Sequence, residues 1–188
     1  MRIIAGRFRG KQLMTPGDES IRPTADRVRE SIFDILSSRL GPSFDGMRVL
    51  DLFAGTGALG LEALSRGAAS AVFVETGAEA RGLIRDHIEA FGLGGTARLL
   101  RRDATALGPS GTMGAFDLVF LDPPYREPIE PWLELVAPVL ATGARIYVER
   151  PLPPGLPATV SGDWIKRSRA GGVEFGLVVL DRSVGGSG

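Results

Sequence analysis

The stretch Val49-Leu50-Asp51-Leu52-Phe53-Ala54-Gly55-Thr56-Gly57-Ala58-Leu59-Gly60 constrains the fold of this chain more than any other. It runs from an apolar strand pattern through a glycine turn into a helical pattern, the unit that opens an α/β domain with a mostly parallel sheet. From here onward short apolar runs alternate with helical stripes. Strands are predicted at Arg48–Phe53, Ala71–Glu75, Ala97–Arg101, Phe116–Asp122, Ala144–Glu149 and Phe175–Asp181. Several are apolar on successive residues, as in Leu118-Val119-Phe120-Leu121, which is expected where helices cover both faces of a strand.

Between the strands, Ala80, Leu83, Ile84, Ile88 and Phe91 form one helical face that Gly92 can end, and Gly67 ends the helix that starts near Leu59. His87 is expected at the partly exposed edge of that first face. A further helix holds Trp132, Leu133, Val136 and Leu140, with a break at Pro138. Ahead of the sheet, Pro23 and Thr24 open a helix striped by Val28, Ile32, Ile35 and Leu36, with Thr24 as its candidate N-cap. Two short extended pieces before it suit a hairpin. Pro151–Gly162 reads as an irregular loop and Val184–Gly188 as a disordered tail.

Composition removes whole classes of chemistry. With no cysteine, disulfides, zinc ribbons and a thiol nucleophile are excluded, and a single histidine leaves almost nothing for a metal site or a Ser-His-Asp triad. No metal is expected. No apolar run approaches the roughly 18 to 20 residues of a membrane span, and the N-terminal apolar stretches are too short for a secretory signal, so the expected location is the cytoplasm. Formal net charge is zero, which argues against coating nucleic acid through charge alone. The charge is nevertheless polarised: Arg2, Arg7, Arg9 and Lys11 precede the first acid, Asp18, and Arg22, Arg27 and Arg29 follow soon after.

Gly55, Gly57 and Gly60 satisfy G-x-G-x-x-G, and Glu75 closes the next strand about 20 residues on, where a ribose-binding acid is expected. A dinucleotide would fit that far. Asp51, at the end of the strand feeding the turn, opposes a pyrophosphate but suits a ligand with an ammonium group and a sulfonium, as in S-adenosylmethionine. Asp51, Glu75, Asp103 and Asp122 all fall at or near C-terminal strand ends, the edge at which open α/β sheets bind ligands. Any one of them could instead cap a following helix.

Leu121-Asp122-Pro123-Pro124-Tyr125 is the most specific motif. Consecutive prolines remove two N–H donors and leave carbonyls beside the Asp122 carboxylate, an acceptor-only surface next to an aromatic ring. That surface matches an NH2 group. An exocyclic amine of a nucleobase is a poor nucleophile because its lone pair is delocalised. Accepting both its hydrogens at Asp122 and the Pro123 carbonyl favours a pyramidal nitrogen, while Tyr125 can stack on the base. No strong general base is needed, since the product nitrogen becomes acidic only as the methyl arrives.

These motifs resemble class I S-adenosylmethionine-dependent methyltransferases. Together with Arg2-Ile3-Ile4-Ala5-Gly6, Arg22-Pro23-Thr24 and Asp26-Arg27-Val28-Arg29-Glu30 they are similar to the bacterial RsmD family, over roughly residues 1 to 150. The resemblance implies a Rossmann-like, mostly parallel seven-stranded sheet with helices on both faces, preceded by a small hairpin and helix. The implied organisation is an RNA-contacting part at 1–45, the methyltransferase domain at 46–182 and a tail at 183–188. Asp51, Phe53, Ala54, Gly55, Thr56 and Gly57 would hold the methionine part of the cofactor, Glu75 the ribose, and Asp103 with Ala104 the adenine. Asp122, Pro123, Pro124 and Tyr125 would present the N2 amine of a guanine in 16S rRNA, within an assembled or assembling small subunit and with the enzyme as a monomer. Arg7, Arg9 and Lys11 would grip RNA, and Arg22, Arg27 and Arg29 would lie over the pocket mouth. The chain departs from the family pattern at Thr76-Gly77, after the ribose acid, and at Gly171-Gly172, where an aromatic residue and glycine are expected. Adenine N6 in DNA or RNA presents the same NH2, and a non-catalytic assembly factor could keep the fold; intact Asp51, Glu75 and Asp122 favour catalysis.

Overall fold

The computed structural model describes residues 1–16, 23–107, 113–123, 127–149, 162–170 and 173–180. In chain order the elements are α1 (Pro23–Leu40), β1 (Arg48–Leu52), α2 (Ala58–Ser65), β2 (Ser70–Val74), α3 (Ala78–Ala90), β3 (Ala97–Leu100), β4 (Phe116–Leu121), α4 (Glu130–Val136), β5 (Leu140–Glu149), β6 (Gly162–Ala170) and β7 (Val173–Leu180). The seven strands form one sheet in the order β3-β2-β1-β4-β5-β7-β6. Strands β1 to β5 pair in parallel, and β7 runs antiparallel to both β5 and β6.

Two cores follow from the alternation of side chains along each strand. Val49, Ala71, Phe73, Leu118, Phe120, Tyr147 and Leu177 pack on one face with Ile32, Phe33 and Leu36 of α1, Leu61 and Leu64 of α2, and Ile84 of α3. Leu50, Val72, Val74, Val119, Leu121, Ile146 and Val148 face the other way, onto Trp132, Leu133 and Val136 of α4. Every central strand is therefore buried on both sides, the reason its sequence is continuously apolar.

Arg2 pairs antiparallel with Gln12 to make the expected hairpin, tied by Ile3 N–H to the Lys11 carbonyl at 2.9 Å and Leu13 N–H to the Met1 carbonyl at 2.9 Å. Its Ile3 and Leu13 belong to the first core. The hairpin is stitched to α2. Glu62 accepts from Ile4 N–H at 2.9 Å and Ala5 N–H at 3.0 Å, and the Ser65 hydroxyl donates to the Ala5 carbonyl while accepting from Phe8 N–H. Gly6, at φ 82°, lies so close to α2 that a Cβ there would stand 1.9 Å from the Ser65 carbonyl oxygen.

Four expectations change. Strand β6 occupies Gly162–Ala170, a segment for which no strand is predicted. Leu140 opens β5 instead of closing a helix: Pro138 sits in a short 3-10 turn, Ala137–Val139, after α4 ends at Val136. The strand then bulges, with Gly143 at φ 74° between the pairs Phe116↔Leu140 and Leu118↔Arg145. Helix α1 already includes Pro23, so Thr24 falls inside it and not at its cap. His87 is 1% exposed and accepts a hydrogen bond from Met14 N–H, so it is a core residue and not an edge one. Most of the Pro151–Gly162 loop, Gly171-Gly172 and the tail lie outside the described residues.

Candidate active site

The chain leaves β1 for β2 on one side of the sheet and returns as β4 on the other, so the ends of β1 and β4 flank the topological switch point. Leu52 pairs with Leu121 there, and the two motifs, Phe53–Gly57 and Asp122–Pro123, emerge side by side. Open α/β sheets bind ligands at this crevice.

The turn after β1 is built for close approach. Phe53 has φ 57°, a left-handed conformation unusual for a side chain of this size. Its ring meets Trp132 edge to face at 4.8 Å. Gly55 also has φ 57°, and a Cβ built on it would meet nothing within 4 Å, so the loop backbone fronts open space. Gly60 serves packing instead: a Cβ would press to 2.4 Å from the Phe73 ring and 3.1 Å from Asp51 Oδ2.

The strand-end acids have distinct surroundings. Asp51 is 2% exposed and accepts from Gly60 N–H in the first turn of α2 at 3.0 Å. Burial pushes its carboxyl up to about 8; the Gly60 hydrogen bond opposes this, and the charges of Asp122 and Glu75 add to it. Glu75 bridges two loops, accepting from Gly55 N–H at 2.8 Å and Gly77 N–H at 2.7 Å. Asp103 caps the short 3-10 turn Ala104–Ala106, and the hydrogen bonds from the Thr105 hydroxyl and N–H hold its carboxyl below the usual value. Asp122 is exposed, just past β4, and Pro123 is buried.

Phe53, Glu75, Asp103 and Ala104 line one cavity of about 290 Å³, joined by Thr76, Arg102, Glu127 and Trp132. Sequence reasoning missed Trp132, whose place in an apolar helical stripe carries no mark of a ligand contact. A larger cavity, about 570 Å³, lies between the hairpin and α1 and includes Arg2, Arg9, Gln12, Arg27, Asp26 and Glu30. Glu75, Asp103 and Phe53 of the turn line the smaller one, at the C-terminal edge of the sheet where Asp51 and Asp122 also lie, so the chemistry is assigned there.

The basic residues divide. Arg7, Arg9, Lys11 and Arg27 are exposed. Arg7 stacks on Phe8 at 4.6 Å, and Lys11 lies over both Phe8 and Phe91 at 5.0 and 4.8 Å. Arg29 is 4% exposed, bonded to Asp26 at 3.1 Å and to the Arg2 carbonyl, and lies 3.7 Å from Glu62. It therefore anchors the hairpin instead of lying over the pocket mouth. Arg22, Pro124 and Tyr125 lie outside the described residues. Among the described residues, no helix is long and apolar enough to cross a membrane and no cluster of His, Cys, Asp and Glu could hold a metal.

A sheet of this order, with a glycine turn after β1 and acids at the ends of β1, β2 and β4, is that of a class I methyltransferase, and S-adenosylmethionine fits its donor set. Asp51 is a buried acid that feels the charges of Asp122 and Glu75, surroundings that a bound cation would relieve, and Gly55 opens onto unfilled space. The family model described as Conserved hypothetical protein 95 matches residues 1–178. Ribosomal RNA small subunit methyltransferase D of Escherichia coli K12 is 41% identical over 169 residues, 87% of this chain and 81% of that protein. The Haemophilus influenzae protein of the same name is 34% identical over 134 residues, 67% of this chain and 64% of that one. Among solved structures, the E. coli protein yhhF superposes with a TM-score of 0.81 at 36% identity, over 96% of this chain and 98% of that one. A hypothetical protein of Thermus thermophilus gives a TM-score of 0.70 at 32% identity, over 94% of this chain and 98% of that one. The chain belongs to the RsmD family of ribosomal RNA methyltransferases.

Proposed function

We propose that this enzyme methylates the N2 amine of a guanine in 16S rRNA, acting as a monomer in the cytoplasm on an assembling or assembled small subunit. The observation that carries the reading is the pairing of β1 with β4, which sets the buried Asp51 and the glycine turn beside Asp122 and Pro123. S-adenosylmethionine, when bound, supplies an electrophilic methyl group on a sulfonium. Asp51 would hold the ammonium of its methionine part, with Phe53, Ala54, Gly55, Thr56 and Gly57 as the cradle. Glu75 keeps a second lone pair on each oxygen beyond those given to Gly55 and Gly77, enough for two ribose hydroxyls. Asp103 and Ala104, with Phe53 and Trp132, would enclose the adenine. Asp122 and the Pro123 carbonyl would accept the two hydrogens of the guanine amine, and Tyr125 would stack on the base; Asp122 or water then takes the proton released as the methyl transfers.

Arg7, Arg9, Lys11 and Arg27 would contact phosphate. Their placement on and beside a hairpin fixed to α2 supports a rigid RNA-facing platform. The adenine alternative presents the same NH2 to Asp122, and family membership favours guanine.

The test is mass spectrometry of nucleosides from small-subunit rRNA of cells with and without the gene, with mapping of the affected position. Loss of one N2-methylguanosine is expected. An unchanged rRNA methylation profile, with label from methyl-labelled cofactor entering DNA or protein instead, would reject the rRNA assignment.

A further inference from the structure

His87 occupies a position on α3 that an apolar residue would fill equally well, yet it places a polar ring in the core, 1% exposed. A buried imidazole is costly unless its nitrogens find partners. Met14 follows the hairpin's return strand, and its N–H donates to His87 Nε2 at 2.8 Å. A donor facing Nε2 requires that nitrogen to be unprotonated, so in the neutral ring the proton sits on Nδ1.

Nδ1 is buried and makes no hydrogen bond. Burial lowers the pKa of the ring, and the backbone of Thr56, in the glycine turn, acts against that lowering, as a carbonyl facing an Nδ1–H would. Two further observations place α3 against the same loop and the same hairpin. A Cβ on Gly57 would stand 3.1 Å from Ile84 Cγ1, one turn before His87. Phe91, whose ring lies 6.1 Å from the imidazole, stacks on Phe8 of the hairpin at 5.1 Å. Glu62 and Ser65 fasten the start of the hairpin to α2; His87 fastens its end, and does so with a ring whose other side faces the loop.

We propose that His87 is a positioning residue that couples the basic hairpin to the glycine loop, its Nδ1–H tautomer bridging the Thr56 carbonyl and the Met14 N–H. The proposal rests on the reading of Gly55–Gly57 as the cofactor loop. Cofactor binding settles Thr56 and closes the Nδ1 contact; the ring then sets Met14 and the hairpin it ends. Linkage makes the effect reciprocal, so RNA held on the hairpin strengthens cofactor binding by the same factor.

The chain has one histidine, so imidazole resonances report this ring alone. The experiment titrates the full-length, 15N-labelled protein with S-adenosylhomocysteine, following both ring nitrogens and the Met14 amide, with calorimetry on the same sample. The expected result is an Nδ1–H tautomer in the free protein and a shift of Nδ1 and of the Met14 amide as the ligand binds. His87→Leu should weaken ligand binding about two- to tenfold, the worth of one net hydrogen bond, and leave the Met14 amide unresponsive. His87→Gln, which can accept from Met14 and donate toward Thr56, should restore much of both. Ligand binding with the ring nitrogens and Met14 unmoved would overturn the coupling and leave the cofactor loop intact. Absence of any binding would overturn the cofactor reading and the coupling with it. If His87→Leu does not fold, the wild-type ring resonances decide the matter.

Discussion

Asp51 and Glu62 are both buried carboxylates on consecutive elements, and their surroundings are opposite. Glu62, fully buried on α2, accepts two backbone N–H groups of the hairpin, pairs with Arg66 at 2.9 Å, and has Arg29 at 3.7 Å. Asp51, at the end of β1, accepts from Gly60 N–H and faces the negative charges of Asp122 and Glu75. One carboxylate is satisfied by the chain itself. The other is left short of positive charge, and burial first, with the charges of Asp122 and Glu75 added, pushes its carboxyl up to about 8. A surrounded buried acid is architecture, while an acid buried among other acids at a sheet edge awaits a cation.

The comparison breaks first at Glu62. Glu62→Ala strips Arg66 of its acid partner, leaves Arg29 with Asp26 alone and strands two hairpin N–H groups, and is expected to cost about 3–5 kcal/mol of stability. Urea denaturation checks it. A loss below about 1 kcal/mol, no more than one ordinary hydrogen bond, would mean the hairpin is held by Ile3 and Leu13 alone.

Asp122 extends the contrast, as an exposed acid that would act on the acceptor and not on the fold. Asp122→Ala is expected to lower turnover about a hundred- to thousandfold, the loss of one preorganised hydrogen bond in the transition state, with S-adenosylhomocysteine affinity and melting temperature largely kept. Near-normal single-turnover rates would remove Asp122 from the acceptor site.

Asp51→Asn sharpens the comparison from the other side. The Asn carbonyl can still accept from Gly60 N–H, but the charge is gone. Cofactor affinity measured by calorimetry should fall about tenfold to a hundredfold, the range of a hydrogen bond to a charged group. Stability should hold or rise. The folded carboxyl titrates well above its unfolded value, so its ionisation costs stability that is absent below the unfolded pKa and grows as pH climbs toward about 8. A variant that lost stability and kept affinity would make Asp51 a second Glu62.

The sequence disclosed most of what is local. Strands β1 to β5 and β7 announce themselves because helices on both faces demand unbroken apolar runs, as at Leu118-Val119-Phe120-Leu121. The strand-end positions of Asp51, Glu75, Asp103 and Asp122 were readable because topology puts every parallel strand end on one edge. Strand β6 was not: it is last in the sheet order, and Gly162–Ala170 has no unbroken apolar run to mark it. Arg29 and His87 were misplaced for another reason. Helical periodicity tells which face a residue occupies but not what descends onto that face. Here Arg29 meets Glu62 of α2 and His87 meets Met14 of the hairpin, partners that no window along the sequence joins.

The smallest expected effect isolates the Asp51 charge without mutation. A carboxyl near pH 8 is mostly protonated in the free enzyme at neutral pH and must ionise to receive an ammonium group. Below that pKa the apparent affinity for S-adenosylhomocysteine should therefore rise with pH, about tenfold from about pH 6 to about pH 7, with close to one proton released per ligand bound. Calorimetry in buffers of different ionisation enthalpy counts the proton. The chain has no cysteine, and burial above all lowers the pKa of its one histidine, away from this window. Asp51→Asn should flatten the dependence. A flat profile in the wild-type protein would mean that Asp51 is already ionised in the free enzyme, its charge balanced from within as that of Glu62 is, and the distinction between the two carboxylates would fall.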